Sequence, residues 1–336
     1  MHTMRVLSDI LSVTFPFFAL VLCGYAVALR AWVADAAIPS LNFYVMYLAL
    51  PAMLLRFAAS TPIVSLLDPS IVLTHLICAT SMVVLTLILT RRGLTRWNDA
   101  SFGALVAAFP NSGFMGVPLL VALLGSSAAA PAIVALSLDM VVTTSLCIAL
   151  SRVDTHAEGG ARHAARRALW GVLANPLPWA ILLGSGLSAS QWALPQAIDA
   201  LLTLLAQSAS PVALFTLGCV LARSYRQSRD HPSNHRSDVS TLAALKLLVH
   251  PAWVWCTGQV LMAVGLPLTP FSAMVLVLMA ALPSASNVPM LAERFGADAG
   301  RLARVVMFTT AAAFVTFTFA VMVVVPASGS GLMHRP

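Results

Sequence analysis

Ten stretches of apolar residues follow one another along this chain, and each is long enough to cross a bilayer as an α-helix of about 20 residues. They cover residues 9–30, 36–57, 69–90, 99–124, 130–151, 169–189, 195–222, 239–264, 268–293 and 302–325. Hydrophobic residues make up 59% of the chain and charged residues only 9%, more apolar surface than a soluble core can bury. Since only helices and closed barrels satisfy the backbone in lipid, the sequence predicts an all-α integral membrane protein with ten transmembrane helices.

Basic residues are concentrated in alternate loops between these stretches. One side holds fifteen of the nineteen basic residues, the other side holds three, and the last, Lys246, lies inside a stretch. The positive-inside rule assigns the arginine-rich side to the cytoplasm. Arginine far outnumbers lysine, as in GC-rich bacterial genomes, so we expect a multi-pass protein of a bacterial inner membrane with both termini in the periplasm. Because the charge is spread over five loops, the lipid bilayer and not nucleic acid is the expected partner.

A polar segment at residues 152–168 separates the first five stretches from the last five. Because five is an odd number, the second half must enter the membrane in the opposite sense to the first. This is the inverted-topology repeat of many carriers. We therefore expect a first five-helix repeat at 1–151, a cytoplasmic linker at 152–168 and a second, inverted five-helix repeat at 169–336.

Stretches four and nine carry the same kind of interruption near mid-membrane depth. The residues concerned are Pro110, Asn111, Ser112 and Gly113 in stretch four, and Pro283, Ser284, Ser286 and Asn287 in stretch nine. Proline removes a backbone donor and clashes with the preceding turn, so neither helix can run through unbroken. Broken helices in corresponding positions of two halves indicate the binding site of a secondary transporter.

The two interruptions are expected to cross near the midplane and to bind a small anion, most simply a carboxylate. The helix restarting after each break would direct its N-terminal N–H groups at the crossing. The amides of Asn111 and Asn287 and the nearby serine hydroxyls could donate further hydrogen bonds. The alternative is that these small residues only kink two helices and let them pack closely.

Three ionisable residues inside the apolar stretches are candidates for charge balance or for coupling to an ion. Asp139 is the carboxylate nearest mid-membrane, and such a group usually belongs to an ion path, a proton relay or a charge pair. Lys246 and His250 lie on one helical face, four residues apart. Lys246 could instead extend its amine to the cytoplasmic surface, and Asp139 could form a purely structural ion pair. His75 is interpreted as a packing residue.

Catalytic and cofactor motifs are not found in the sequence. It contains no HExxH, GxSxG or GxxxxGK motif, so we expect neither catalytic residues nor direct drive by ATP. The five cysteines and the histidines lack metal-ligand spacing, so no metal site is expected. The only bound ion we expect is a coupling H⁺ or Na⁺.

Four segments resemble the auxin efflux carrier family, in its bacterial branch of malonate and malate permeases. They are residues 111–119 (NSGFMGVPL), 211–218 (PVALFTLG), 246–251 (KLLVHP) and 282–296. The resemblance implies ten helices in an inverted five-plus-five repeat, with a scaffold from stretches 1, 2, 6 and 7. It also implies a transport domain in which broken helices four and nine cross at the substrate site. The plant hormone carriers of this family have a longer central loop, so auxin itself is not assumed as substrate.

These observations predict a secondary active transporter, a permease for a small organic anion across the inner membrane. A sodium or proton antiporter or symporter on a similar scaffold is the alternative within transport. An integral-membrane enzyme would need clustered acidic or histidine residues at the membrane face, which the loops do not show. The sequence leaves the oligomeric state open and is compatible with a homodimer.

Overall fold

The computed structural model describes residues 2–91, 96–153, 170, 173–230 and 236–325, and these residues contain helices and no strand. The α-helices, numbered in chain order, are α1 (His2–Leu29), α2 (Ile38–Tyr44), α3 (Leu50–Ser60), α4 (Ile63–Leu66), α5 (Pro69–Thr90), α6 (Trp97–Ala108), α7 (Val117–Leu124), α8 (Ala129–Leu138), α9 (Thr144–Leu150), α10 (Pro176–Ser190), α11 (Gln196–Asp230), α12 (Arg236–Ala244), α13 (His250–Ala263), α14 (Pro270–Ala281), α15 (Val288–Arg294) and α16 (Ala299–Val324). The prediction of an all-α protein is confirmed for this part of the chain.

In the part of the chain that the structure describes, seven helical segments are long and apolar enough to cross a membrane. They are Ile10–Leu29, Asp35–Ser60, Ile63–Thr90, Ser126–Leu150, Gln196–Arg226, Asp238–Ala263 and Ala299–Val324. The other three predicted stretches contain shorter helices: α6 with α7, α10, and α14 with α15. The protein is therefore a multi-pass membrane protein, while the count of ten crossings and the inverted repeat stay predictions.

Proline ends two of the short helices at the expected places. α6 ends at Ala108, and Phe109 is extended (φ −92°, ψ 107°). α14 ends at Ala281, and Leu282 is extended (φ −64°, ψ 156°). Phe109 and Leu282 each precede a proline, whose ring disfavours the helical conformation of the residue before it. We call residues 109–111 the first break and residues 282–287 the second break.

Four π-helical turns interrupt the helices. They span Val45–Ala49, Ser112–Gly116, Asp139–Thr143 and Leu245–Val249. Three of them are followed two residues later by a proline, at positions 51, 118 and 251. A wider turn accommodates a residue that cannot donate to the normal helical bond. Single π turns are frequent at functional sites, and three of these four carry predicted site residues.

Glycines bring two pairs of helices into backbone contact. A Cβ atom at Gly24 of α1 or at Gly218 of α11 would lie 2.0 Å from a backbone carbonyl oxygen of the facing helix. A Cβ atom at Gly184 of α10 would lie 2.3 Å from a carbonyl oxygen of α3. Such approaches are possible only without a side chain. The pairs α1–α11 and α3–α10 are therefore tightly packed layers beside the two breaks.

Candidate functional site

The two breaks meet and are joined through their backbones. Pro110 and Ser284 form an isolated antiparallel bridge. The N–H of Asn111 donates to the carbonyl oxygen of Pro283 at 2.8 Å, and the N–H of Ala285 donates to that of Phe109 at 3.0 Å. Each break thus satisfies backbone groups that its own helix has lost, as buried polar groups require. The crossing is thus held together by hydrogen bonds between the two breaks.

Polar side chains at the crossing keep unused hydrogen-bonding capacity. Asn111 is 3% exposed, and its Nδ2 has no hydrogen-bond partner among the described residues. The same holds for the Oγ of Ser284, which is fully buried. By contrast, the Oγ of Ser112 donates to the carbonyl oxygen of Pro110 at 3.1 Å. Unpaired buried polar atoms are rare in folded proteins, which makes this crossing unusual.

A cavity of about 940 Å³ reaches the crossing from one side. Its wall includes Phe109, Ser286 and Asn287 of the two breaks. The volume lies at the upper end of the usual range for small-molecule sites. Asn111 is not among the lining residues, so the two predicted amides differ in their access to the cavity.

Positive charge lines this cavity as well. Arg152 and Arg294 belong to its wall, and the Arg152 guanidinium lies 5.4 Å from the centre of the Phe295 ring. Arginine is well suited to binding carboxylates because its fork of N–H donors matches their two oxygens. The half-helix after the second break has only seven residues, Val288–Arg294. Among the described residues that line the cavity, the two arginines carry the positive charge, and a half-helix of this length adds little to it.

Asp139 is fully buried and hydrogen-bonded to a histidine that sequence reasoning treated as a packing residue. Its Oδ1 lies 3.0 Å from Nε2 of His75 and accepts from Oγ1 of Thr143 at 3.0 Å. Its Oδ2 has no hydrogen-bond partner among the described residues. The position of His75 could have drawn attention to it in the sequence, because an ionisable residue inside an apolar stretch usually has a functional role.

Lys246 is fully buried and does not extend to the surface. Its Nζ donates to the carbonyl oxygen of Ala280 at 3.0 Å and lies 3.1 Å from Nδ1 of His250. Ala280 lies in the last turn of α14, where helix carbonyls lack intrahelical partners. The N–H of Ser284, four residues on, instead pairs with Oγ1 of Thr309 at 3.3 Å. Lys246 thus caps the helix that leads into the second break.

The described residues contain no group of three or more His, Cys, Asp or Glu side chains that could hold a metal ion. Helices of membrane-crossing length, two paired breaks and a cavity that reaches them define the class of polytopic membrane transport proteins.

Comparisons with known proteins specify the family. A family model described as membrane transport protein matches residues 9–321, and the chain belongs to this family, the auxin efflux carriers. A protein of Rhizobium meliloti (strain 1021) named "Putative malonate transporter" is 26% identical over 319 residues, which are 93% of this chain and 95% of that protein. A protein of Methanothermobacter thermautotrophicus named "Uncharacterized transporter" is 29% identical over 297 residues, or 87% and 90% of the two chains.

Proposed function

We propose that this protein is a secondary active transporter that carries a small organic anion, a carboxylate, across the bacterial inner membrane. The observation that carries the proposal is the crossing itself, where two broken helices are joined at a cavity lined by Asn287, Arg152 and Arg294. Asn287 would donate to the carboxylate, and the arginines would attract it into the cavity. Malonate is the first substrate to test, because the Rhizobium relative is named for it.

The inverted repeat with domains 1–151, 152–168 and 169–336 is part of this proposal. Residues 154–168 of the linker lie outside the described residues. Helix packing supports the symmetry of the two halves. The helix of stretch one packs on that of stretch seven, and the helix of stretch six packs on that of stretch two. In the same way, stretch three packs on stretch four, and stretch eight packs on stretch nine. In an inverted repeat each stretch is equivalent to the one five places further on, so the second contact of each set is the expected counterpart of the first.

The arginine pattern also gives the cavity a direction. If both termini are periplasmic, the loop that holds Arg152 and the loop that holds Arg294 are cytoplasmic. The cavity that these residues line would then open to the cytoplasm, with Asn287 at its inner end and Asn111 behind it. Asp139, Lys246 and His250 would balance charge or respond to a coupling H⁺ or Na⁺ during transport. A homodimer stays a prediction from the sequence.

Substrate-dependent thermal stabilisation of the purified protein tests the proposal. Ligand binding raises stability by about 2.7 kcal/mol at a concentration of 100 Kd, whether or not transport is reconstituted. We expect malonate or a related mono- or dicarboxylate to raise Tm, and Asn287→Ala to remove most of the rise. Ser185→Ala is the matched control, because the hydroxyl of Ser185 bonds only its own helix at Ile181, at 2.8 Å. No stabilisation by any carboxylate would contradict the proposal.

A further inference from the structure

We propose that His75 and Asp139 form a proton-binding site whose occupancy favours anion binding, which makes the protein a proton–anion symporter. The site is built from α5 and from the π turn Asp139–Thr143 between α8 and α9. Its coupling role rests on the proposed transport function, while proton binding at the pair can be measured without any substrate.

The geometry of Asp139 favours a proton over a sodium ion. Oδ1 is already contacted by the His75 imidazole and by the Thr143 hydroxyl, which donates to it. Oδ2 is buried without a partner among the described residues. Hard cations prefer a shell of several oxygen ligands, and here one of the two neighbours of the carboxylate, both at 3.0 Å, is a nitrogen base. A carboxylate paired with imidazole can take up one proton with no change of ligands.

The titratable groups that face the pair are two nitrogen bases and a thiol. Lys246 interacts electrostatically with Asp139, and His250 does so with His75. Cys147, about two helical turns beyond Asp139, is the titratable group on the same stretch that interacts with it. α14, which packs against α8, contains no titratable residue. Among the described residues, these neighbours therefore add no carboxylate that could complete a shell of oxygen ligands for Na⁺.

Asp139 is the residue before Met140, which lines the cavity. Met140 and Thr144, on the same π turn and just after it, line the cavity. The Oγ1 of Thr144 donates to the backbone carbonyl oxygen of Asp139 at 2.8 Å. A change in the charge or hydrogen bonding of Asp139 can thus reach the cavity through this turn.

The net charge of the pair, with and without a bound proton, gives the direction of coupling. With a neutral imidazole, the pair carries one negative charge, and one bound proton brings its net charge to zero. Whatever the charge on Lys246, one bound proton removes one negative charge from the pair, which makes the binding of a carboxylate in the cavity more favourable. Proton and anion therefore bind with positive coupling, which is reciprocal by thermodynamic necessity. Both move in the same direction, so an inward proton gradient drives uptake of the anion.

Infrared titration of the purified protein tests the proton site directly. The proton can lie on the Asp139 carboxyl or on the His75 imidazole, so we expect a pH-dependent change in the carboxyl or imidazole bands of the native protein that is lost or moved to another pH in Asp139→Asn and in His75→Gln. Thr86→Val is the matched control, because Thr86 is a buried residue of α5 whose hydroxyl bonds only Met82 of the same helix, at 2.8 Å. Titration that is identical in native protein and Asp139→Asn would overturn the proposal, whatever the substrate.

Proteoliposomes test the coupling, with malonate as the probe. In native protein we expect affinity for malonate to rise on acidification, by at most about tenfold per pH unit for one proton. Asp139→Asn should bind malonate equally at every pH tested, exchange it across the membrane, and fail to accumulate it on a pH gradient. Accumulation driven by a sodium gradient and not by a pH gradient would overturn symport with protons.

The two tests separate the two proposals. If the infrared band behaves as expected but malonate neither binds nor exchanges, malonate transport fails as the function while the proton site stands. If malonate binds and exchanges but neither its binding nor its accumulation depends on pH, transport stands and the proton coupling fails. Normal pH coupling in Asp139→Asn would likewise remove the pair from the mechanism.

Discussion

The first and second breaks are built from the same residue types, a proline followed by small polar residues and an asparagine, yet they have different surroundings. Asn111 of the first break is 3% exposed, with an amide nitrogen that has no partner among the described residues. Asn287 of the second break is half-buried and lines the cavity. In an alternating carrier, one access path exposes one half of the site and covers the other. We interpret the difference as one of two orientations of the transporter.

The two breaks are also supported differently. The second break is held by side chains of other helices, through Lys246 on Ala280 and Thr309 on Ser284. The first break relies more on its own backbone, since the N–H of Ser112 donates to the carbonyl oxygen of Pro110 at 2.7 Å. Side-chain contacts can be exchanged without unfolding a helix. The second break is therefore the place where charge in the core can influence the proposed substrate site.

The largest effect is expected from removing the amide that lines the cavity. Asn287→Ala should weaken malonate binding by about 10- to 100-fold, because a hydrogen bond to a charged group is worth about 1.5–3 kcal/mol. Asn111→Ala should leave malonate binding in the cavity-open state nearly unchanged but reduce uptake, which requires both orientations. Binding by thermal shift and uptake by proteoliposomes measure the two effects. Equal loss of malonate binding in both variants would contradict the proposed difference between Asn287 and Asn111.

A smaller effect is expected from removing the lysine cap of the second break. Lys246→Met should lower stability by about 1.5–3 kcal/mol, because the Ala280 carbonyl loses a charged donor. At the first break, the last turn of α6 is closed by a backbone bond, from the N–H of Phe109 to the carbonyl oxygen of Leu105 at 2.8 Å. Melting temperature in detergent checks the loss. A Tm unchanged from native would show that Lys246 does not support the break.

The smallest effect is expected at Thr309. Thr309→Val removes the acceptor of the Ser284 N–H but keeps the side-chain shape, so a loss of about 1 kcal/mol is expected. Thr310→Val is the matched control, because the neighbouring Thr310 hydroxyl bonds only Val306 of its own helix, at 2.7 Å. Tm of the two variants, measured side by side, checks the difference. A larger loss for Thr310→Val would contradict the assigned role of Thr309.

The positions of the breaks followed from local chemistry and could be predicted. Proline constrains its own φ and the residue before it, so Phe109 and Leu282 had to leave the helix wherever the rest of the chain lay. The apolar stretches could also be predicted, because a helix that spans the bilayer needs a certain length of apolar residues. The short helix α10 covers less than its predicted stretch at 169–189, part of which lies outside the described residues.

The contacts between helices could not be predicted. The pairing of His75 with Asp139 joins residues 64 positions apart, and nothing in the sequence around His75 specifies that partner. The sequence allowed Lys246 to extend to the cytoplasmic surface, while the structure places its amine on Ala280 and His250. The π turns were missed because their hydrogen-bond pattern depends on packing and not on a residue code. The unequal access of Asn111 and Asn287 depends on the state of the whole molecule.

Labelling with a water-soluble thiol reagent tests the central claim most directly, in a background where the five native cysteines are replaced. Asn287→Cys and Asn111→Cys would be compared in inside-out membrane vesicles, which expose the cytoplasmic side. The account predicts rapid labelling of Cys at position 287, slow labelling at position 111, and protection of 287 by malonate. Equal labelling of both positions, or labelling of 287 from the periplasmic side alone, would contradict it.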